Sequence, residues 1–487
     1  MKLRVRFAPS PTGHLHIGGA RTALFNYLLA RKYGGTFVLR IEDTDELRSD
    51  EKSVKSIFSS LKWLGLDWDE GAMPDGTEIG SCGPYIQSKR EEMGIYRKYA
   101  DQLIREGKAY HCYCTPQELE KMKKKAQLEK KSLKYDGRCR RLTKSQIEEF
   151  KKEGRKPVVR FKMPQEGKTV FEDLIHKTVS FENRLLYDCV IIKASGYPTY
   201  NFACVIDDCL MKITHVMRGD DHISNTPLQV NIYRALGFDV PRFAHLSMIL
   251  GPDGKRLSKR HGSTSVEEYR RRGFLPLALR NYLALLGFST SDSQQLFKEK
   301  ELEEKFCLEG CQKNPAVFDE IKLRWMNGEY IRMLSREKLF SMSLPFLEKK
   351  GLKVQKNERN IEIVALQQEK YKLLEDVPYL VEFFYRDVEY ASDAVEKVLK
   401  KPRARAILES IQKVYREMKD FTEKEIEAKT REFARSNNYK TAEIFHPVRV
   451  SVSGRTQGPT LFKMLELLGR EETVRRISIA RRLLESA

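Results

Sequence analysis

The sequence predicts an α/β protein built on a parallel sheet, followed by an all-helical region. Three observations carry this. Residues 3–41 read strand, glycine-rich turn, helix, strand; apolar strand-like runs return near residues 190 and 213; and from about Met333 the apolar residues keep a helical period with no strand-like alternation.

Leu3, Val5 and Phe7 alternate with basic residues as in a strand, and Pro9-Ser10-Pro11-Thr12-Gly13 ends it. From Gly18 the period changes: Ala20, Ala23, Leu24, Tyr27 and Leu28 fall at helical spacing until Gly34-Gly35 stops them, and a second strand is expected from Phe37 to Ile41. This is the opening of a right-handed βαβ unit, a Rossmann-type sheet that takes its ligand at the C-terminal ends of the strands. Residues 110–187 have another texture, with a basic stretch from Lys121 to Lys134 and short extended runs such as Pro157-Val158-Val159-Arg160-Phe161, and they read as an insertion. Val190-Ile191-Ile192 and Ile213 to Met217 are expected to complete the parallel sheet. In the last third, Ile361, Val364 and Ala365, and then Ile407, Ile411, Val414 and Tyr415, mark helices. Basic residues there, Lys400-Lys401-Pro402-Arg403-Ala404-Arg405, Arg475-Arg476 and Arg481-Arg482, are candidate phosphate contacts or solvated helix faces.

A chain of 487 residues suggests roughly three domains. No apolar run reaches the roughly 18 residues of a membrane helix, and Met1 to Arg6 alternates basic and apolar residues instead of leading into an apolar segment, so a secreted or membrane-spanning protein is not expected. Nine cysteines, an odd number for so long a chain, fit a reducing cytoplasm better than a disulfide framework. Lys and Arg exceed Asp and Glu by 20, which favours a polyanionic partner such as nucleic acid.

Two segments carry chemistry. Pro9 to Gly19 falls where strand gives way to helix; glycines there let backbone approach a ligand, and the free N–H groups of the helix start attract a phosphate. His16 can donate a hydrogen bond to a phosphate oxygen as charge builds. The second is Asp253 to Gly262, a glycine-bounded loop whose Lys255, Arg256, Lys259 and Arg260 could close over a triphosphate. Read singly, each is an ordinary turn.

Together they resemble the two signatures of class I aminoacyl-tRNA synthetases, and the chain is similar to the bacterial-type glutamyl-tRNA synthetases within that class. The match runs in family order through Phe7-Ala8-Pro9-Ser10-Pro11-Thr12-Gly13, Leu39-Arg40-Ile41-Glu42-Asp43-Thr44-Asp45, Tyr135-Asp136-Gly137-Arg138-Cys139, Gly196-Tyr197-Pro198-Thr199-Tyr200-Asn201-Phe202, Arg218-Gly219-Asp220-Asp221-His222, Leu257-Ser258-Lys259-Arg260-His261-Gly262 and Leu323-Arg324-Trp325-Met326-Asn327. The resemblance implies a glutamate–tRNA ligase that activates L-glutamate with ATP and Mg²⁺ and transfers it to tRNA(Glu). It assigns 1–109 and 188–245 to a split catalytic domain and 110–187 to an inserted acceptor-stem-binding domain. Residues 246–332 become a stem-contact region carrying the Leu-Ser-Lys-Arg loop, and 333–487 an all-helical anticodon-binding region. It places Arg6, Ala8, Ser10, Glu42, Tyr200 and Arg218 around glutamate, with Glu42 on the α-ammonium and Arg6 and Arg218 opposing carboxylates. His16, Gly18, Gly19, Arg256, Ser258 and Lys259 are the expected catalytic residues; Pro9, His16, Gly18 and Lys259 the ATP contacts. A monomer without a membrane partner is expected. Glutaminyl-tRNA synthetases share the signatures but have a β-barrel anticodon part, and a non-catalytic RNA-binding relative would have no use for His16 with Lys259.

Three departures stand out. Cys112-x-Cys114 with Cys139-x-Arg141 resembles a zinc site of some members, but Arg141 stands where the last ligand is usually His or Cys; His111 or water would have to serve, and no metal is expected. Arg256 stands where the family often has Lys. Gln368 falls where glutamate-only enzymes often carry an Arg that reads the anticodon, which brings in tRNA(Gln) as a second acceptor.

Overall fold

The computed structural model describes residues 2–44, 50–129, 134–258, 260, 262 and 264–484. Two compact units divide it, Met1–Arg271 with Pro276–Leu323, and Arg272–Leu275 with Arg324–Ala487.

In the first unit, β1 (Arg4–Phe7) leads into helix Ile17–Lys32 and β2 (Thr36–Leu39), which lies parallel to β1 in the register Arg4↔Thr36 to Phe7↔Leu39. All four residues of β2 are buried, as a central parallel strand requires. β3 (Glu70–Ala72) continues the parallel sheet and β4 (Glu78–Ile79) closes its edge antiparallel. There follow β5 (Ala109–Cys112), β6 (Val158–Phe161), β7 (Lys168–Asp173), β8 (Lys177–Glu182), β9 (Val190–Ile192), β10 (His215–Gly219) and β11 (Arg242–Leu246). β10 pairs in parallel with β11 and abuts β1: Thr214 donates its N–H to the Arg4 carbonyl at 3.0 Å, and the Arg4 N–H donates to Thr214 Oγ1 at 2.9 Å. The resulting order, β3-β2-β1-β10-β11, is that of the expected Rossmann-type sheet.

Two expectations are corrected. Val190–Ile192 does not join the parallel strands; it pairs antiparallel with β6, which pairs antiparallel with β5, in a separate three-stranded sheet. Its short apolar run fits either sheet, and only packing decides: Ile191 and Ile192 share a core with Val159, Phe161, Phe202, Val205 and Ile232. Nor is 110–187 wholly apart from the main sheet. The hairpin β7–β8 adds itself to β11 through the pair Phe243↔Asp173, so the order on that side is β10-β11-β7-β8.

The second unit contains no strand among the described residues. Helix Ala404–Glu417 buries Ile407, Leu408, Ile411 and Tyr415 at helical spacing, and helices Glu423–Ser436, Thr441–Ser453, Leu461–Leu468 and Arg470–Leu483 complete the bundle. The second unit's main segment begins at Arg324, inside helix Glu320–Arg332. Of the basic residues singled out above, Arg476 is buried and donates to the carbonyls of Phe383, Arg386 and Val452, so it ties segments together and is not available to a phosphate. Lys401, Arg403 and Arg405 are exposed. Gln368 is half-buried and donates its amide to the carbonyls of Ile331 and Leu334, at 2.8 and 2.9 Å, capping the end of Glu320–Arg332. No described helix is long and apolar enough to cross a membrane.

Gly454 ends helix Thr441–Ser453 in the left-handed region, φ 72°, where an added Cβ would meet the Glu389 carbonyl oxygen at 2.1 Å. Gly454→Ala is therefore expected to destabilise the helical unit by at least about 1–2 kcal/mol, combining left-handed strain with displaced backbone. A lowered melting temperature in the variant checks this, and an unchanged one refutes it.

Candidate active site

The first unit holds a cavity of about 620 Å³ at the C-terminal ends of β1, β10 and β11. Arg6, Ala8, Ser10, Glu42, Tyr200 and Arg218 line it, and so do His16, Gly18, Gly19, Arg256 and Ser258. Residues as far apart in sequence as Arg6 and Ser258 thus share one wall because the parallel strands all end there. Pro9 is not among the lining residues. Lys259 and His261 lie outside the described residues.

His16 caps helix Ile17–Lys32. Its Nδ1 accepts the Gly18 N–H at 3.1 Å, so in the neutral ring the proton sits on Nε2. Burial, aided by the nearby Arg256 guanidinium, lowers the imidazolium pKa. The result is a neutral donor beside helix-terminal N–H groups, and the first turn carries no acidic residue to compete with an anion. Gly19 keeps the turn tight, since a Cβ there would lie 3.2 Å from Leu15 Cδ1.

Residues 251–257, where the second signature begins, form a tight hairpin after β12 (Ile249–Leu250), which pairs with β13 (Ala316–Val317). Gly251 donates to the Lys255 carbonyl at 2.7 Å and Leu257 to that of Ile249 at 3.0 Å. Arg256 reaches Asp221 Oδ2 at 3.1 Å, fastening the loop to the segment after β10. That is how Arg256 comes beside His16.

Below the cavity lies a chain of buried charges. Asp208, on helix Tyr200–Leu210, takes Arg6 Nε at 3.1 Å and Arg40 Nη1 at 2.6 Å; Arg40 Nη2 reaches Glu42 Oε1 at 2.8 Å. Asp207 adds Arg90 at 2.6 Å. Three guanidiniums face three carboxylates, all nearly inaccessible, and the balance is what allows them to be buried. Burial raises the Glu42 carboxyl above its ordinary range in spite of Arg40. Burial also lifts Asp208, but Arg6 and Arg40 outweigh it and the net shift is downward.

Arg218, 5% exposed, is different: its hydrogen bonds go to uncharged groups, Nη1 to Tyr200 Oη at 3.4 Å and Nη2 to Thr226 Oγ1 at 2.9 Å. Tyr200 Oη lies 3.2 Å from His222 Nδ1. Burial and Arg218 push His222 down to about 4, so its ring is neutral. A buried cation held by neutral partners suits an incoming carboxylate.

Sequence reasoning missed Arg21, Thr22 and Ser247 in the wall. Arg21 donates to the carbonyls of Leu286 and Ser247, and burial pulls it down to about 10. Its place one helical turn after Gly18 was the available signal.

Cys112, Cys114 and Cys139 form the one group among the described residues able to bring three ligand atoms within 4.8 Å of one another. Asp220, Asp221 and His222 do not. His111 is not in the group, since neighbours along β5 face opposite ways, and Arg141 is exposed. Tyr135 Oη lies 3.4 Å from Cys112 Sγ and 3.9 Å from Cys114 Sγ, and the Arg160 guanidinium also hydrogen-bonds Cys112. Crowding by Cys112 and Cys139 raises the Cys114 thiol. Three thiols are one ligand short of a four-coordinate structural zinc site, and neither His111 nor Arg141 joins them.

Asp208→Ala is expected to cost about 3–5 kcal/mol, because Arg6 and Arg40 lose the carboxylate between them. Its depressed pKa means that the contribution is present above an unfolded value of about 3.9 and fades as pH falls through the lower folded value. Urea unfolding of both proteins near neutral pH checks the loss; a difference under about 1 kcal/mol would refute it.

Comparison with known proteins agrees with this geometry. Residues 2–325 match the family described as tRNA synthetases class I (E and Q), catalytic domain, and residues 338–481 match an anticodon binding domain. The chain is 56% identical over 482 residues to a glutamate–tRNA ligase of Elusimicrobium minutum, covering 99% of both chains. It is 46% identical to glutamate–tRNA ligase 1 of Caldanaerobacter subterraneus, covering 99% of this chain and 98% of that one. A crystal structure of a glutamate tRNA ligase from Elizabethkingia meningosepticum, in complex with its amino acid, superposes with a TM-score of 0.91 at 33% identity, covering 99% of this chain and all of that one. The chain belongs to the glutamate–tRNA ligases, class I aminoacyl-tRNA synthetases with a helical anticodon-binding domain.

Proposed function

We propose that the cavity holds L-glutamate beside ATP and joins them as glutamyl-adenylate before transfer to tRNA(Glu). The observation that carries the reading is the meeting, in one cavity, of a neutral His16 donor at a bare helix start with two buried arginines, Arg6 and Arg218. An amino acid with two carboxylates in a site sheltered from water needs a cationic partner for each, and these oppose them, with Ala8, Ser10 and Tyr200 completing the wall. Glu42 takes the α-ammonium, whose arrival stabilises its ionised form.

In the first step the α-carboxylate attacks the α-phosphorus of ATP in line, forming the acyl–phosphate bond as pyrophosphate leaves. The nucleotide carries Mg²⁺ with it. His16 Nε2–H, the helix start at Gly18 and Gly19, and the loop cations Arg256 and Lys259 stabilise charge on the phosphates, and Ser258 adds a polar contact beside them. In the second step a ribose hydroxyl of the terminal adenosine attacks the mixed anhydride and AMP leaves. The inserted segment 110–187 is assigned to the acceptor stem, 246–332 to the stem and 333–487 to the anticodon. The enzyme acts in the cytoplasm, which suits nine unpaired cysteines, and as a monomer. tRNA(Gln) is a second acceptor beside tRNA(Glu): Gln368, standing where an anticodon-reading Arg would exclude it, spends its amide on backbone carbonyls and supplies no cation.

Pyrophosphate exchange in the presence of tRNA tests the reading: glutamate is expected to support it and glutamine not, and no exchange with either would overturn it. Charging of both tRNA(Glu) and tRNA(Gln) is expected, and charging confined to tRNA(Glu) would reject the second acceptor. Lys259→Ala is expected to slow adenylate formation about 10²-fold with little change in tRNA affinity, and equal activity would remove Lys259 from the mechanism. Because burial holds His16 neutral, exchange is not expected to rise as pH falls from about 8 to about 6.5, whereas an imidazolium donor would make it rise.

A further inference from the structure

Arg218 faces the cavity from β10, and what stands behind it comes from another part of the chain. Asp173, the last residue of β7, is buried, and all its acceptor positions are used. Oδ1 takes the backbone N–H groups of Ile175 and His176 at 2.9 and 2.8 Å; Oδ2 takes the backbone N–H of His245 at 3.1 Å and its Nδ1–H at 2.6 Å. With Nδ1 protonated toward Asp173, Nε2 of a neutral ring is an acceptor, and it receives Arg218 Nε–H at 3.2 Å. Burial lowers the imidazolium pKa of His245 further than Asp173 restores it, which keeps the ring in that accepting state. Each nitrogen of the guanidinium is then engaged once, Nε by His245, Nη2 by Thr226 and Nη1 by Tyr200. Among the described residues this leaves one N–H on each terminal nitrogen, the fork that a carboxylate takes bidentately.

We propose that Asp173 and His245 are positioning residues that hold Arg218 in the plane in which it meets a carboxylate of glutamate. The relay runs from hairpin β7–β8 through β11 to β10, and it rests on the reading of the cavity as the glutamate site. Neither residue lines the cavity. They act only through Arg218.

The test uses the full-length enzyme in aminoacylation, with KM for glutamate and for ATP, kcat and melting temperature measured for H245N, H245Q and R218K. The asparagine amide can replace Nδ1–H toward Asp173 but reaches nothing at Arg218; the glutamine carbonyl can stand where Nε2 stands. Expected are a glutamate KM raised about tenfold in H245N, as for a lost charge-assisted hydrogen bond, an unchanged ATP KM, and recovery of most of the loss in H245Q. If R218K raises the glutamate KM while both His245 variants match the wild type, or while the two variants lose affinity equally, the relay is overturned and the cavity reading stands. If R218K leaves the glutamate KM unchanged, the cavity reading falls and the relay with it. Should H245N not fold, D173N carries the test: the amide favours the other His245 tautomer, setting Nε2–H against Arg218 Nε–H, and an unchanged glutamate KM in that variant overturns the proposal.

Discussion

Asp208 is the group on which the rest of the site depends. It sits on helix Tyr200–Leu210 and takes one guanidinium from β1 and another from the residue after β2, so a single carboxylate holds two neighbouring strand ends against the helix that covers them. Isolated charges at this depth would cost several kcal/mol each, and only their mutual arrangement makes the burial tolerable. Arg6 and Glu42 are consequently held at set positions on the cavity floor. Both reach the cavity with one side already engaged, Arg6 by Asp208 and Glu42 by Arg40.

Arg218 is supported by another device. Where Arg6 and Arg40 are balanced by carboxylates, Arg218 is surrounded by a phenol, a hydroxyl and an imidazole, none of them charged. The two kinds of surroundings differ in what they leave for a ligand. A guanidinium paired with aspartate has much of its field cancelled locally, while one propped by neutral groups keeps its charge for an incoming anion. The cavity therefore combines Arg6, already shared with Asp208, and Arg218, propped by neutral groups, and His16 supplies a neutral donor at the helix start.

Reading the chain in sequence, much of this was legible. The βαβ opening, the helix that starts at His16 and the helical last third follow from local rules: side-chain period, glycine placement and capping. The motif pair was legible too, because turn chemistry is local. Val190–Ile192 was misplaced because a three-residue apolar strand carries no mark of its partner strand, and the hairpin β7–β8 looked like part of an insertion although it extends the main sheet. Arg476 looked like a phosphate contact because a basic residue in a helix gives no sign that three carbonyls from other segments await it. Tyr135 escaped notice at the cysteines for the same reason.

What the amino-acid order determined by itself is therefore the kind of each element and the chemistry available at its ends, since both arise from contacts a few residues long. Which strand pairs with which, and which charge meets which, was decided only in the tertiary structure. Arg6 and Asp208 are 202 residues apart, and Asp173 and His245 are 72. Hydrogen bonds over such separations exist only after the sheet has brought the chain back, and no local pattern records them.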